Sequence, residues 1–560
     1  MKATAVLCVL CCLSLTAATL AQDESPDPLE QVRALYDACD RPGVPGGFAV
    51  AIVRDGDVIL QAGYGYADYE HGIPFSTTTI FDFASVAKQF TGFAIASLVE
   101  EGLLALDDDI RLYLPELHDF GDTIRIEHLL RHTSGLRDWV GLVKLSGRYK
   151  SDVITDTFLM DLIVRQRELN FSPGETFLYS NTGYFLLAQI VSRVTGESFR
   201  EWCHRRIFEP LGMTDTLFLD DYREILVGRA ASYKRGRDGE FANHPNHLTA
   251  YGSSSLFSTV DDMAKWIVNL GERTIGSDLV WSMMLEPGKT GSGQVTGYGF
   301  GLSLGEYDGM ANLGHGGSWA GSVSQVTYFP EQHFGMVLAS NRDPSGVYVD
   351  QDVYDLLLGD GATASPASSE EPGHGPEIAV DPEITDAYVG RYRQDTRIIR
   401  VEKVDGVLLV HLPWGDENIP LRPESETSFF VEGSSVRYSF QRISSGRVLS
   451  MCLHTGGGTY RYSRLRTEGT PLGDVEALCG EYYSEELGTT YQIAVVDDWL
   501  TVTHLHNEDV TLVREERDVY IGDRWWFSKA RFLRNEEGEI VGMRVDADNE
   551  SVQGVLFAKR

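Results

Sequence analysis

The 560-residue chain is poor in three features that would assign it to a specialised class. Basic residues are scarce: 48 Lys and Arg face 82 Asp and Glu, and a surface with a formal charge of −34 repels nucleic acid and anionic membranes. After the N-terminal segment, no apolar run approaches the length of a membrane span. Cysteine is scarce as well, and the four cysteines after the N-terminal segment show no metal-ligand spacing. We therefore expect neither nucleic acid nor membrane as a partner, and the 42% hydrophobic composition is that of a folded globular protein of several domains.

The first 21 residues are predicted to be a secretory signal peptide. Lys2 supplies a positive charge, residues 5–20 are apolar, and Ala21 before Gln22 offers a small-residue cleavage site. An uncleaved anchor is the alternative, although the run is short for a span. We expect an exported protein, periplasmic or extracellular, with no membrane contact beyond this signal. Cleavage would leave four cysteines, which allow three pairings or stay free: Cys39, Cys203, Cys452 and Cys479.

Residues 22–358 have the pattern of one α/β domain. Two apolar runs flank Asp55-Gly56, which is a strong signal for a β-hairpin. Helical patterns fill the middle, beginning with Ser85 to Glu101, and strand patterns return near the end. Strands at both ends predict a sheet that uses both ends of the domain. The runs that carry this prediction are 48–53 and 58–60 for the hairpin, 125–213 for the helices, and 298–304, 322–329 and 334–339 for the later strands.

The last third of the chain has a different character. Residues 359–382 are rich in Gly, Pro, Ser and acidic residues and are predicted to be a linker. Beyond the linker, short alternating strands and turns predict an all-β region. The pattern Ala-x-x-Gly-x-Tyr of residues 387–392 recurs 90 residues later at 477–482. We therefore predict two small antiparallel β-barrel-like domains, 383–467 and 468–560; chance similarity of such short words is the alternative.

The stretch FDFASVAKQF, residues 81–90, places a serine three residues before a lysine. On a helix, Ser85 and Lys88 would lie on one face. A lysine in a water-poor pocket can be neutral and act as the base for a serine nucleophile, and Phe83 and Phe90 would supply apolar surroundings. The start of a helix also offers N–H groups to a developing oxyanion. Of the ten lysines, only Lys88 has a serine at this spacing; a surface lysine beside a capping serine is the alternative.

Two further motifs supply candidate partners. Tyr179 and Asn181 follow a turn: the tyrosine would pass a proton to the leaving group, and the asparagine would hold Lys88 and the substrate. A core tyrosine with a capping asparagine is the alternative. His315 and the glycines after it precede a strand pattern, so the histidine would offer a donor beside a substrate lying along a strand edge. The third motif consists of His315, Gly316, Gly317 and Ser318, and the N–H groups of Ser85 and Ser318 would form an oxyanion hole.

In this order, the three motifs resemble the S-x-x-K, Y-x-N and H-x-G motifs of the serine hydrolase superfamily of class C β-lactamases, penicillin-binding proteins and D-aminopeptidases. The stretches 131–136 and 207–213 are also similar to that superfamily, and the resemblance covers roughly residues 28–358. It implies a helical subdomain on an α/β sandwich with an antiparallel sheet, an acyl-serine intermediate, and no metal or other cofactor. The additional β-barrels are most similar to those of D-aminopeptidases. The resemblance also implies the site roles: Ser85 as nucleophile, Lys88 as base, Tyr179 as proton relay, Asn181 as positioning residue and His315 in the third-motif position.

Three other patterns are weaker candidates. Lys289-Thr290-Gly291 matches the K-T-G form of the third motif, but its surroundings are typical of a loop, so His315 is favoured. Residues 301–305 match a G-x-S-x-G nucleophile elbow, but a turn rather than a helix follows the serine. His128 and His132 have a metal-compatible spacing without an evident third ligand, so both are expected to be structural.

We therefore predict an exported serine hydrolase that cleaves a small ester or a short peptide amide. D-aminopeptidase, D,D-carboxypeptidase or β-lactamase-type activity on cell-wall peptides is the alternative among enzymes. His315 in place of lysine predicts weaker recognition of a substrate carboxylate, because histidine is mostly neutral near pH 7. A binding protein that retained the fold is the alternative outside enzymes, and the intact set of Ser85, Lys88, Tyr179 and Asn181 argues against it. The sequence does not determine the oligomeric state.

Overall fold

The structure is a computed structural model that describes most of the chain. The described residues are 27–235, 241–342, 349–359, 377–394, 397–412, 418–432, 434, 436–442, 448–455, 458–465, 475–496, 499–547 and 551–560. The predicted signal peptide and most of the predicted linker lie outside them. Of the helices in these segments, none has the length and apolar character that crossing a membrane requires.

Eleven α-helices and twenty-eight strands are found in the described segments. The helices are α1 Pro28–Cys39, α2 Ala87–Glu100, α3 Ile126–Leu130, α4 Trp139–Leu145, α5 Asp156–Val164, α6 Asn181–Thr195, α7 Phe199–Cys203, α8 Val260–Glu272, α9 Asp278–Leu285, α10 Asp350–Leu358 and α11 Pro382–Tyr388. The strands before residue 350 are β1 Gly47–Arg54, β2 Asp57–Asp68, β3 Ile73–Pro74, β4 Phe81–Asp82, β5 Leu217–Phe218, β6 Tyr233–Arg235, β7 Phe241–Asn243, β8 Leu256–Ser258, β9 Ser303–Tyr307, β10 Met310–Trp319, β11 Ser322–Phe329 and β12 Phe334–Ser340.

A seven-stranded antiparallel sheet joins the two ends of the first domain, as the sequence predicts. Its strand order is β3-β2-β1-β12-β11-β10-β9, so the first long strand pairs with the last. Asp55 and Gly56 both have positive φ, 52° and 84°, which suits the tight turn between β1 and β2. Helix α2 is buried on almost all sides, and α8 packs on the sheet. The active-site candidates lie between this sheet and the helical part of the domain.

Two closed eight-stranded barrels follow, which confirms the predicted all-β region. The first contains β13 Gly390–Gln394, β14 Arg397–Val404, β15 Val407–His411, β16 Asn418–Pro423, β17 Ser428–Phe430, β18 Arg437–Arg442, β19 Val448–Thr455 and β20 Gly458–Arg464. The second contains β21 Gly480–Ser484, β22 Thr489–Val496, β23 Trp499–Thr503, β24 Val510–Glu516, β25 Val519–Arg524, β26 Phe527–Arg534, β27 Ile540–Ala547 and β28 Val552–Lys559. The repeated tyrosines make equivalent contacts: Tyr392 donates to the carbonyl of Tyr388, and Tyr482 to that of Leu478, both at 2.8 Å.

The second barrel packs against the catalytic domain, whereas the first barrel has its own core. Buried residues of the second barrel belong to the same apolar cluster as the helical part of the catalytic domain, and those of the first barrel form a separate cluster. Tyr491 donates to the carbonyl of Leu145 at 2.9 Å, and the buried Arg137 guanidinium donates to Glu486 at 2.7 Å. The second barrel therefore supports the segment that leads into α4.

Two local expectations change. The strand predicted over 298–304 begins only at Ser303, because Tyr298, Phe300 and Leu302 bury their side chains in the core without a continuous strand partner. The four cysteines that follow the predicted signal are all free thiols, so the pairing alternatives do not apply in this structure. The domain boundaries predicted from composition stay predictions.

Candidate active site

The candidate nucleophile lies just after a strained turn. Ala84 has a positive φ of 46°, and its N–H donates to the carboxylate of Asp82 at 2.8 Å. The other oxygen of that carboxylate accepts from the side chain of Asn246 at 2.6 Å. Burial raises the pKa of Asp82 to about 6, although the Ala84 N–H and the charge of Arg229 oppose the shift. This buried carboxyl group holds the turn that presents Ser85 at the start of the helix.

Lys88 lies one turn further on and is fully buried. Its Nζ contacts Ser85 Oγ at 3.1 Å, Asn181 Oδ1 at 2.8 Å and the carbonyl oxygen of Ser253 at 2.7 Å. Burial lowers the pKa of Lys88 from 10.5 to about 7, and the negative charge of Asp138 opposes the shift. An amide oxygen and a carbonyl can only accept hydrogen bonds. A neutral amine therefore donates its two hydrogens to Asn181 and Ser253 and directs its lone pair at Ser85.

Asn181 is the first residue of α6, and the extended Ser180 precedes it. The two alternatives for the asparagine of the Tyr-x-Asn motif, a role at the start of a helix and a contact with Lys88, therefore both apply. Its backbone N–H and its side-chain NH2 both donate to the carboxylate of Asp138, the latter at 3.3 Å. Because a carboxylate only accepts, this contact orients the amide with its oxygen toward Lys88.

Tyr179 borders the same pocket. Its ring centre lies 4.9 Å from Lys88 Nζ, and its hydroxyl lies close enough to Ser85 for the serine to lower the pKa of the phenol slightly. Burial raises the pKa of Tyr179 well above its ordinary value. The phenol therefore keeps its proton at neutral pH and is suited to donate it. His132 packs on the tyrosine ring with centroids 4.4 Å apart, and its Nδ1 accepts from the N–H of Ser180 at 3.0 Å.

His315 lies on β10 beside this pocket and is 7% exposed. Its Nδ1 is 2.6 Å from the carbonyl oxygen of Gly316, so Nδ1 carries the hydrogen. Its Nε2 is 2.9 Å from the Tyr298 hydroxyl and accepts from it. Burial, together with the charge of Lys88, lowers the pKa of His315 to about 3. The sequence suggested a donor to the substrate here, but both ring nitrogens have partners within the protein.

The two glycines after His315 bring β10 against the nucleophile turn. A Cβ on Gly317 would lie 2.2 Å from the carbonyl oxygen of Phe83, so only glycine allows this approach. Gly316 has more room, since its nearest neighbour is the movable side-chain amide of Gln325 at 2.8 Å. Ser318 is exposed on the same strand. The structure thus brings all the predicted site residues to one place between α2, α6 and β10.

The weaker candidates lie elsewhere or have other roles. Lys289, Thr290 and Gly291 are in a loop that borders a cavity of about 580 Å³ with Arg131 and Glu175. Ser303 begins a strand, so residues 301–305 do not form a nucleophile elbow. His128 accepts from the N–H of Arg125 at 3.2 Å, apart from His132. Within the described segments, one group has metal-ligand proximity, Asp68, Glu70 and His71 at the end of β2, and it includes no site residue.

Sequence reasoning missed three contributors to the site. Asp138 follows the quoted stretch 131–136 by two residues, and its role depends on a contact across 43 positions. Ser253 acts through its backbone carbonyl, for which residue type gives no signal. From the sequence His132 is expected to be structural, but it packs on Tyr179 and lies close enough to Lys88 for their charges to interact.

An antiparallel sheet, a helical layer, and a serine paired with a buried lysine define a serine hydrolase of the penicillin-binding protein and β-lactamase type. The family model described as Beta-lactamase matches residues 32–360, and the chain belongs to this family.

Known relatives and solved structures agree with this assignment. The chain is 28% identical to a D-aminopeptidase of Gluconobacter oxydans (strain 621H), over 80% of each protein. It is 26% identical to Penicillin-binding protein 4* of Bacillus subtilis (strain 168), over 70% of this chain and 89% of the relative. It resembles the structure of an octameric penicillin-binding protein homologue from Pyrococcus abyssi with a TM-score of 0.52 and 26% identity, over 78% of this chain and 99% of that one. The protein is therefore an enzyme of the serine hydrolase class.

Proposed function

We propose that the protein cleaves a small ester or a peptide amide through an acyl-enzyme on Ser85. The observation that carries this proposal is the hydrogen bonding of Lys88. Two acceptor-only oxygens take the hydrogens of the neutral amine, and the third contact, at 3.1 Å, is with Ser85 Oγ. A buried base with its lone pair toward a hydroxyl is the arrangement that nucleophilic catalysis by serine requires.

In each step of the proposed reaction, a named side chain takes or gives the proton. Ser85 Oγ attacks the substrate carbonyl carbon while its proton moves to Lys88 Nζ. The N–H groups of Ser85 and Ser318 stabilise the resulting oxyanion. When the C–N or C–O bond breaks, the Tyr179 hydroxyl protonates the leaving group and regains a proton from the Lys88 ammonium. Water then attacks the acyl-serine, with the same groups removing its proton and returning one to Ser85.

The neutral His315 favours substrates that need no cation for carboxylate binding. Its low pKa and its two internal hydrogen bonds leave no positive charge at the third-motif position. A peptide amide with an N-terminal D-residue fits this requirement, and several relatives are named D-aminopeptidases. D,D-carboxypeptidase or β-lactamase activity is the second candidate, and it would need another source of positive charge.

The test is hydrolysis of four substrates by wild type and Ser85→Ala: a short-chain nitrophenyl ester, a D-alanine anilide, an acylated D-Ala-D-Ala peptide and a chromogenic cephalosporin. We expect turnover of the ester and the anilide, with loss of both in Ser85→Ala. Equal turnover in Ser85→Ala would contradict the assigned nucleophile. Preference for the cephalosporin or D-Ala-D-Ala would contradict the role of His315, and absence of any turnover from folded protein would favour a narrower substrate.

We also propose that the protein is exported, on the basis of the predicted signal in residues 1–21. The predicted cleavage after Ala21 gives a mature chain beginning at Gln22. N-terminal sequencing of protein recovered outside the cytoplasm tests this. Recovery of the full-length chain in the cytoplasm alone would contradict it.

A further inference from the structure

Asp138 is the carboxylate that connects to the candidate base through one side chain. It is 2% exposed and lies immediately before α4. One oxygen accepts from the N–H of Val140 at 2.9 Å and from the amide of Asn181 at 3.3 Å, and the other accepts from the backbone N–H of Asn181. The amide oxygen of Asn181 in turn accepts from Lys88 at 2.8 Å. These contacts form an unbroken chain from a buried carboxylate to the catalytic amine.

The donor and acceptor properties of the three groups determine how the Asn181 amide is oriented in this chain. An asparagine amide has a donor end and an acceptor end, and these are easily exchanged by a flip of the side chain. The carboxylate accepts only, so it selects the orientation with the amide oxygen on Lys88. In the flipped orientation, an NH2 group would face the amine, and the lone pair of Lys88 would turn away from Ser85.

Asp138 is itself held by the second barrel. Its N–H donates to the carbonyl of Ser551 at 2.9 Å. The side chain of Asn170 donates to the same carbonyl at 2.8 Å and accepts from the N–H of Gln553 at 2.9 Å. The preceding Arg137 donates to the carbonyl of Gln553 at 2.8 Å. The start of strand β28 therefore fixes the backbone on which the carboxylate stands.

We propose that Asp138 is a positioning residue for catalysis, which orients Asn181 and through it the lone pair of Lys88. This inference rests on the proposed function of Ser85 and Lys88. The other titratable groups around Lys88 are His132, His315, Tyr179 and Tyr184. All four are neutral near pH 7, because burial lowers the pKa of both histidines and raises the pKa of both tyrosines. Among the groups that shift its pKa, Asp138 is the negative charge acting on Lys88.

The experiment follows the rate of labelling of Ser85 by a serine-directed phosphonate, from pH 5 to pH 9, in the full-length protein. Asp138→Asn keeps the size and the helix-capping ability of the residue but removes its charge and its acceptor-only character. We expect labelling to become about 10- to 100-fold slower, the usual cost of a misdirected catalytic group. The pH at which labelling reaches half its maximum should fall, because Asp138 raises the pKa of Lys88.

Asp262→Asn is the matched control. Asp262 is also buried, accepts from the backbone N–H of Asp215 at 2.8 Å, and pairs with Lys265 at 2.7 Å. Its partners Asp215, Thr216 and Lys265 are not site residues, so its variant should label at the wild-type rate with the wild-type midpoint. Asp138→Ser, which also caps a helix, replaces Asp138→Asn if the latter does not fold.

The outcomes separate the two proposals. Slower labelling with a lower midpoint in the Asp138 variants, and not in Asp262→Asn, supports the positioning role. A wild-type rate, or a slower rate with an unchanged midpoint, would overturn it, because a merely structural residue changes the amount of active protein and not its titration. Failure of wild-type protein to label at all would overturn the assignment of Ser85 itself.

Discussion

The low pKa of Lys88 leads to a quantitative prediction for acylation. If the neutral amine is the base, the phosphonate labelling rate of Ser85 follows the fraction of Lys88 that is neutral. With a pKa of about 7, that fraction is about one tenth at pH 6, one half at pH 7 and nine tenths at pH 8. The labelling rate should therefore rise about tenfold between pH 6 and pH 8 and then level off. Labelling followed by intact-protein mass spectrometry measures it, with Ser85→Ala as the control for site specificity.

Other titratable groups near the site do not account for a rise of the labelling rate near pH 7. His132 and His315 are already neutral there, because burial holds the pKa of each below its usual value. Asp82 is the closest alternative, since burial raises its pKa to about 6. Asp82→Asn distinguishes the two. A midpoint that vanishes in Asp82→Asn, or a rate that keeps rising toward pH 10, would refute the assignment to Lys88.

Two further predictions concern packing around the site. Gly317→Ala should lower kcat/KM at least tenfold, because the added Cβ would displace β10 from the carbonyl of Phe83. In the control Gly316→Ala, the added Cβ meets only a movable side chain, so this variant should keep at least half of the wild-type kcat/KM. Equal losses in the two variants would contradict the argument. Glu486→Ala should destabilise the contact between the second barrel and the catalytic domain by about 3–5 kcal/mol, because it leaves the buried Arg137 without its nearest charge partner. Denaturant unfolding measures the second effect, and an unchanged unfolding curve would contradict it.

Much of the fold was accessible from local patterns. The hairpin at Asp55-Gly56 was predicted because the turn chemistry and the flanking apolar runs agree, and a sheet using both chain ends followed from the order of the elements. The prediction of a strand over residues 298–302 was wrong, because an apolar run has the same composition whether it forms a strand or packs irregularly. The segment lies so close to α2 that a Cβ added to Gly92 would be 2.3 Å from the carbonyl oxygen of Phe300. Core packing therefore determines the conformation of this segment.

The site was predictable to the extent that its chemistry depends on short motifs. Ser85 and Lys88 are one helical turn apart, and the Tyr-x-Asn and His-Gly-Gly motifs each keep their residues within four positions. What was not predictable are the links between motifs. Asp138 contacts Asn181, and Ser253 contacts Lys88 through a backbone carbonyl, over 43 and 165 positions respectively. Such contacts depend on the tertiary fold, and the residue types involved are common in any chain.

The repeat in the last third predicted two barrels but not which one would dock on the catalytic domain. The 90-residue offset holds for β13 and β21, but the next strands begin at Arg397 and Thr489, so the turn that joins β21 to β22 has two residues more than the connection in the first copy. That longer turn supplies Glu486, which pairs with Arg137.

One substitution completes the difference between the copies. Tyr482 pairs across the ladder with Tyr491, whereas its counterpart Tyr392 pairs with Ile399. The hydroxyl of Tyr491 reaches the carbonyl of Leu145, a contact that isoleucine cannot make. A two-residue insertion and one aromatic substitution therefore add polar contacts to those that Ser551 and Gln553 make with the segment that carries Asp138.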